Sequence, residues 1–413
     1  MNKKWLIPSP PGKEINPEIE KLSAEFKLPR LVAELLYRKG IKTVNSAQEF
    51  FKPSMDNLYD PYLFPDMEKA VQRILRAIDS KEKITIYGDY DVDGTTATAL
   101  LYLGLKRIGA NIDFYIPHRM IDGYGLSLGS LDALRENGSS LIISVDCGVN
   151  AIEEINAINS MGMEIIITDH HNPKDELPPA FAIINPKLPG TKYPYEHLAG
   201  VGVAYKLLMA IYNNLGIDSA ENKLKYMDLV AVGTIADIVP LTSENRIFAS
   251  IGLQHLIEKK NLGLNALVQI SGLNQKNLDT TDIVFGIAPR INAAGRMGSA
   301  SVSVELLIST DEAKSMELAE IIEHQNSLRQ QEDQKTFQEA CDIIEKKYKD
   351  LQQTSCMVVS SDDWHPGVIG IVASKLVEKY YRPVIMISFK DGFGSGSGRS
   401  VADFDLFEAL KQT

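Results

Sequence analysis

Three apolar runs along the chain each end in acidic or imidazole side chains. KITIYG closes on Asp89-Tyr90-Asp91-Val92-Asp93-Gly94, LIISV on Asp146, and EIIIT on Asp169-His170-His171. Runs of this length, rich in Ile, Val and Thr, read as strands buried on both faces of a parallel sheet. From Lys83 to about Asn185 they alternate with helical patterns such as TTATALLYLGLKRIG and AIEEINAINSMG. The alternation predicts a βαβ series and an α/β domain. Right-handed crossovers then bring the strand ends to one edge of the sheet. Upstream, residues 1–75 carry helical patterns separated by Pro-containing loops, and residues 200–275 read as mostly helical. Residues 303–347 are rich in Glu, Gln, Lys, Leu and Ala and contain no Gly or Pro, which predicts one or two long helices between domains. TSCMVVSS, HPGVIGIVASKLVEKYY and PVIMISF follow, a second and smaller α/β unit entered at about residue 351.

Composition changes this picture little. The 413 residues are 44% hydrophobic and 23% charged, as expected of a globular protein with two or more domains. No apolar stretch reaches membrane-span length, and MNKKWLIPSPPGKEINPE lacks the apolar segment of a secretion signal. Cys147, Cys341 and Cys356 have neither metal-site nor redox spacing, so a reducing cytoplasm is the expected setting. The net charge of −11 has the wrong sign for bulk attraction to nucleic acid, so any polyanion must be met by local basic patches.

The strand ends carry the chemistry. Ligands in open α/β sheets bind outside the carboxyl ends of the strands. At least four carboxylates and two imidazoles on one rim are hard to hold together without cations. Asp89, Asp91, Asp93 and Gly94 match the start of an EF-hand loop, but the twelfth position is Leu100 instead of Glu, and a strand-like segment precedes the loop. The better reading is a strand turning into a helix that starts near Thr95. Asp146 alone would be an ordinary cap or turn former, and sharing the rim gives it weight. In Asp169-His170-His171 one imidazole can ligate a metal while the other faces substrate; a structural histidine pair is the alternative. Carboxylate and imidazole ligands suit Mn²⁺ or Mg²⁺. Asp237, in the apolar LVAVGTIADIVPL, is a further candidate ligand, or else a partner of Arg246 or a backbone donor.

Two later segments resemble phosphate contacts. Pro289-Arg290-Ile291-Asn292-Ala293-Ala294-Gly295-Arg296 offers two arginines and an amide on flexible backbone. Gly394-Ser395-Gly396-Ser397-Gly398-Arg399 reads as a Gly/Ser loop able to approach an anion, or as a plain turn. His365 either joins this site or caps the helix that follows it.

Together these residues resemble the DHH phosphoesterase superfamily, and within it the single-strand-specific 5′→3′ exonucleases. The resemblance runs from about Leu58 to the end, through GDYDVDGTTA, SVDCGVN, TDHHNP, AVGTIADIVPL, PRINAAGRMG, HPGVIGIVASKL and GSGSGRS. It implies a helical region over 1–75, a parallel-sheet DHH domain over 76–300, a connecting helix over 301–350 and a partial DHHA1 domain over 351–413. It further implies two Mn²⁺ or Mg²⁺ ions held by Asp91, Asp93, Asp146, His170 and Asp237, with Asp146 bridging. Asp89 and His171 would lie in or just behind the ligand set, and His171 would reach the scissile phosphate. Arg290, Asn292, Arg296, His365, Ser397, Gly398 and Arg399 would hold the DNA backbone.

The implied activity is two-metal hydrolysis of phosphodiesters in single-stranded DNA, with release of 5′-mononucleotides, in repair and recombination. Helicase and single-strand-binding protein are the implied partners, and a monomer away from membranes is expected. A GGHxxAAG segment and an oligonucleotide-binding β-barrel normally follow in that branch. The sequence ends at Leu410-Lys411-Gln412-Thr413 before either, so a C-terminally truncated version is expected. Two other readings stay open: a phosphodiesterase of short oligonucleotides or cyclic dinucleotides, and a non-catalytic DNA-binding scaffold. Loss of the carboxylates would mark the scaffold, and all of them are present.

Overall fold

The computed structural model describes residues 16–119, 122–123, 125–350, 353–390, 392–402 and 404–412. The predicted βαβ series forms a five-stranded sheet built from β1 (Lys83–Gly88), β2 (Asn111–Tyr115), β3 (Leu141–Val145), β4 (Glu164–Thr168) and β5 (Ala182–Ile184). Every pairing is parallel and the order is β2-β1-β3-β4-β5. Alternation of side chains divides the interior into two layers. Ile84, Ile86, Ile143 and Ile166 face a large core shared with helices Met67–Asp79, Val92–Arg107, Gly200–Asn214 and Met227–Ala236. Tyr87, Ile142, Ile165 and Ile167 face a smaller core under helices Leu128–Glu136 and Ile152–Ser160. Both faces are covered, which explains why the strands read as unbroken apolar runs instead of alternating ones.

β1 lies between β2 and β3, so the chain leaves β1 towards one side of the sheet and returns on the other. The crevice at such a reversal is where α/β sheets bind ligands. It opens between Asp89, after β1, and Asp146, after β3.

Residue 75 falls inside helix Met67–Asp79, whose Ala70, Val71, Ile74 and Ala77 belong to the large core. Helices Pro17–Phe26, Arg30–Arg38 and Val44–Phe51 enclose a small core of their own. The Gly-free, Pro-free stretch contains one 36-residue helix, Glu312–Lys347, begun by Asp311 accepting from the Lys314 N–H. At 1.5 Å per residue it is about 54 Å long. Leu318, Ala319 and Ile322 anchor one part of it to the large core, while Ala340, Cys341 and Ile344 anchor the other to the second unit.

That unit holds a three-stranded sheet, β6 (Met357–Ser361), β7 (Val384–Lys390) and β8 (Phe393–Arg399), with helix Ile369–Tyr380 against it. Here the structure corrects two expectations. The Gly/Ser segment is strand β8, paired antiparallel with β7 over seven residues, and not a loop. Pairing with an established neighbour outweighs the poor strand preference of Gly and Ser. The Arg290–Arg296 stretch lies within helix Ala288–Met297 after a π-helical turn, so its backbone is not flexible. Among the described residues no helix is long and apolar enough to cross a membrane.

Candidate metal centre

β1 ends in the reversal crevice and the chain turns into helix Val92–Arg107. That helix starts three residues before Thr95 because the Asp91 side chain caps it, accepting from Gly94 N at 3.1 Å. Gly94 is required there, since a Cβ would lie 2.5 Å from the Asp89 carbonyl oxygen. Asp93 sits in the first turn and is buried. It accepts from Gly200 N at 2.6 Å and Val201 N at 2.8 Å, the opening amides of helix Gly200–Asn214. Those amides and the helix dipole hold the carboxylate.

Asp146 follows β3 with φ 61, a left-handed conformation rare outside glycine. Its N–H donates to Thr168 O at 2.9 Å, and its side chain lies so close under Gly200 that a Cβ there would come within 2.7 Å of it. After β4, Asp169 accepts four hydrogen bonds: from His170 N at 2.7 Å, His171 N at 3.1 Å, Val149 N at 3.0 Å and His171 Nδ1 at 2.7 Å. It shapes the turn that presents both imidazoles. His170 Nε2 then lies 3.1 Å from Asp146 Oδ1, 3.7 Å from Asp237 Oδ2 and 3.8 Å from Asp93 Oδ2. Asp237 is not inside the apolar helix. It follows the last residue of Met227–Ala236 and reaches the crevice from the helix end. Arg246 is not its partner, because that guanidinium donates to Phe50 O and covers the Phe50 ring.

Three sets of side chains bring their ligand atoms within 4.8 Å of one another: Asp89, Asp91 and Asp146; Asp93, His170 and Asp237; and Asp146, His170 and His171. Asp146 and His170 each belong to two of them. Burial, then mutual repulsion, pushes Asp89, Asp93 and Asp237 up to about 7 and Asp146 well above the usual carboxylate range. Burial lowers His170. His171 is raised instead, chiefly by its hydrogen bond to Asp169. Burial opposes ionisation of Asp169, but the His171 hydrogen bond and the backbone N–H groups hold it below the usual range.

Asp89 Oδ1, Asp146 Oδ1 and Asp237 Oδ2 are buried without a hydrogen-bond donor. Buried carboxylate oxygens in that condition are costly unless a cation meets them. The donor set is oxygen and imidazole nitrogen with no thiolate, which fits Mg²⁺ or Mn²⁺.

Beside this negative crevice lies a cleft of about 770 Å³ whose lining includes Arg119, Arg296, Lys375, Lys390, Ser397 and Arg399. Glu378 is the acidic residue in the lining. Arg296 is pushed down to about 10 by burial and then by the neighbouring charges of Arg119 and Arg329. Its Nη1 donates to Gly367 O at 3.0 Å, tying the first unit to the second.

Four of the seven residues expected to hold the DNA backbone do not line this cleft. Arg290 is turned onto Glu323 at 2.5 Å and Gly286 O at 2.7 Å. Asn292, on the same helix, is outside the lining. Gly398 faces Leu406, where a Cβ would lie 2.7 Å from Cδ2. His365 accepts from Gly367 N at 3.0 Å and shapes the turn before helix Ile369–Tyr380. Sequence reasoning assigned no role to Asp169, Gly200 or Arg119. Asp169 could have been found, since an Asp followed by two residues with amides to satisfy is a turn signature. Arg119, shortly after β2, belongs to the same rim as the other strand ends.

Residues 83–234 match the DHH family, N-terminal domain, and residues 353–413 match the DHHA1 domain. The single-stranded-DNA-specific exonuclease RecJ of Bacillus subtilis is 42% identical over 397 residues, covering 96% of this chain and 49% of that protein. Its namesake in Escherichia coli is 35% identical over 398 residues, covering 94% of this chain and 68% of that protein. A crystal structure of exonuclease RecJ bound to manganese superposes with a TM-score of 0.75 at 32% identity, over 87% of each chain. The chain spans 49% of the first relative and 68% of the second.

Proposed function

The chain belongs to the RecJ exonuclease family, and on that premise we propose that it hydrolyses single-stranded DNA from the 5′ end, releasing 5′-mononucleotides. The observation that carries the reading is the pairing of two carboxylate sets around Asp146 and His170 with a basic cleft next to them. Asp89, Asp91 and Asp146 would hold one divalent cation, and Asp93, His170 and Asp237 a second, both Mn²⁺ or Mg²⁺. Bound cations would supply Lewis-acid polarisation of the phosphodiester and activation of water at neutral pH.

The chain's own side chains do the rest. Asp169 fixes the ring plane of His171 through its contact with Nδ1, and in the metal-free chain that hydrogen bond raises the pKa of the imidazole. His171 is the proposed hydrogen-bond donor to the phosphoryl oxygens as charge builds on them. Arg119, Arg296 and Arg399 are the proposed anchor for a phosphate one step along the strand, and the cleft that holds them lies between the two units. With net charge −11 the attraction is local, so binding weakens steeply with salt.

The test is Mn²⁺-dependent release of nucleotides from a 5′-labelled single strand, compared with a blunt duplex and a dinucleotide. The single strand should be degraded fastest. Equal degradation of the blunt duplex removes the single-strand reading, and faster cleavage of the dinucleotide moves the chain to the short-oligonucleotide hydrolases.

A further inference from the structure

Tyr90 stands between two of the candidate ligands, Asp89 and Asp91, yet none of the chemistry above uses it. Its ring carries Arg119, whose guanidinium carbon lies 5.0 Å from the ring centroid. Its other contacts reach the opposite wall. A Cβ on Gly295 would lie 2.8 Å from Tyr90 O and 3.4 Å from Tyr90 Cβ, so helix Ala288–Met297, which bears Arg296, packs directly on this residue. Arg119 and Arg296 line one cleft and repel each other. A carboxylate beside Arg119 would steady it but would also cancel the charge that an anion needs. An aromatic face steadies a guanidinium without neutralising it.

We propose that Tyr90 is a positioning residue that holds Arg119 in the cleft and sets the step between the metal centre and the phosphate anchor. The inference rests on the reading of the cleft as that anchor. The backbone of Tyr90 is fixed by its neighbours Asp89 and Asp91 and by the close approach of Gly295. Its ring therefore ties the place of Arg119 to the place of the carboxylates. On the proposed reading, a strand whose 5′-phosphate meets Arg119 would present its next phosphodiester to the rim.

The experiment compares the full chain with Tyr90→Phe, Tyr90→Leu, Arg119→Ala and the Tyr90→Leu/Arg119→Ala double variant. Affinity for a 5′-phosphoryl and a 5′-hydroxyl oligothymidylate is read by fluorescence anisotropy in EDTA, and KM and kcat with Mn²⁺. Tyr90→Phe should keep the preference for the 5′-phosphoryl strand. Tyr90→Leu should weaken binding and raise KM for that strand by about five- to tenfold with little change in kcat, and should add nothing once Arg119 is gone. Equal loss in Tyr90→Phe and Tyr90→Leu, equal loss for both oligonucleotides, or additive loss in the double variant overturns the role. If wild type binds both oligonucleotides equally, the anchor and Tyr90's part in it fall together. If wild type prefers the 5′-phosphoryl strand but cleaves neither, the nuclease reading fails while the anisotropy comparison still decides on Tyr90.

Discussion

The rim of the five-stranded sheet and the cleft beside it are built on opposite principles. The rim gathers carboxylates that burial and mutual repulsion push up to about 7. The cleft gathers guanidinium groups, one of them pushed down to about 10. Each region is short of counter-charge, one of cations and the other of anions. A phosphodiester chain with divalent ions supplies both at once. The regions also differ in how they are held. The rim is fixed by backbone: Asp93 by two amides of a helix N-terminus, and Asp169 by three backbone N–H groups. The cleft is fixed by side-chain contacts, Arg296 on the Gly367 carbonyl of the other unit and Arg119 on the Tyr90 ring. The rim should therefore behave as an all-or-none centre and the cleft as a graded one.

The largest effect is expected at the rim. Asp146→Asn keeps the size of a side chain packed under Gly200 but removes a charge common to two ligand sets, and activity with Mn²⁺ should fall by more than about a hundredfold. Unchanged nuclease activity in that variant would dissolve the contrast between the regions. In the cleft, Arg296→Gln should raise KM about tenfold or more through loss of a charge-assisted contact, while kcat stays close to wild type. A fall in kcat with KM unmoved would place Arg296 in the chemistry instead of the anchor.

A third test uses pH. Asp89, Asp93 and Asp237 titrate near 7 in the folded chain against 3.8 as ordinary carboxylates. Between these values the folded chain binds more protons than the unfolded chain, so metal-free stability falls as pH rises through about 4 to 7. Added Mn²⁺ should raise the melting temperature by several degrees more at pH 8 than at pH 5, which differential scanning fluorimetry checks. An equal rise at both values would mean that the carboxylates are not the ligands. The smallest effect is expected from Arg290→Ala. The Glu323 ion pair is largely buried, so removing Arg290 leaves a carboxylate short of its donor; about 1–3 kcal/mol of stability should be lost, and KM should move by less than about twofold. A tenfold rise would return Arg290 to the substrate side.

The sheet and most of the rim could be read in advance because burial on both faces leaves no alternation to misread. KITIYG, LIISV and EIIIT became β1, β3 and β4, and the acids at their ends share one crevice. The Gly/Ser segment was misread for the opposite reason: its local preference is weak, and only the neighbouring β7 makes it a strand. Arg290 and Arg296, six residues apart, looked equivalent. The helix turns one onto Glu323 and the other to the cleft, and no spacing argument supplies the position of Glu323, which comes from the connecting helix.

Residue types along the chain therefore determined the strands, their order in the sequence and the stock of carboxylates and imidazoles, because burial and charge act on each segment by itself. Tertiary structure decided which atoms meet: the Gly200 and Val201 amides on Asp93, the Val149 amide on Asp169, and Arg119 over Tyr90 facing Arg296. Those contacts join segments far apart in the chain, and their geometry is fixed only once helices and sheet have packed.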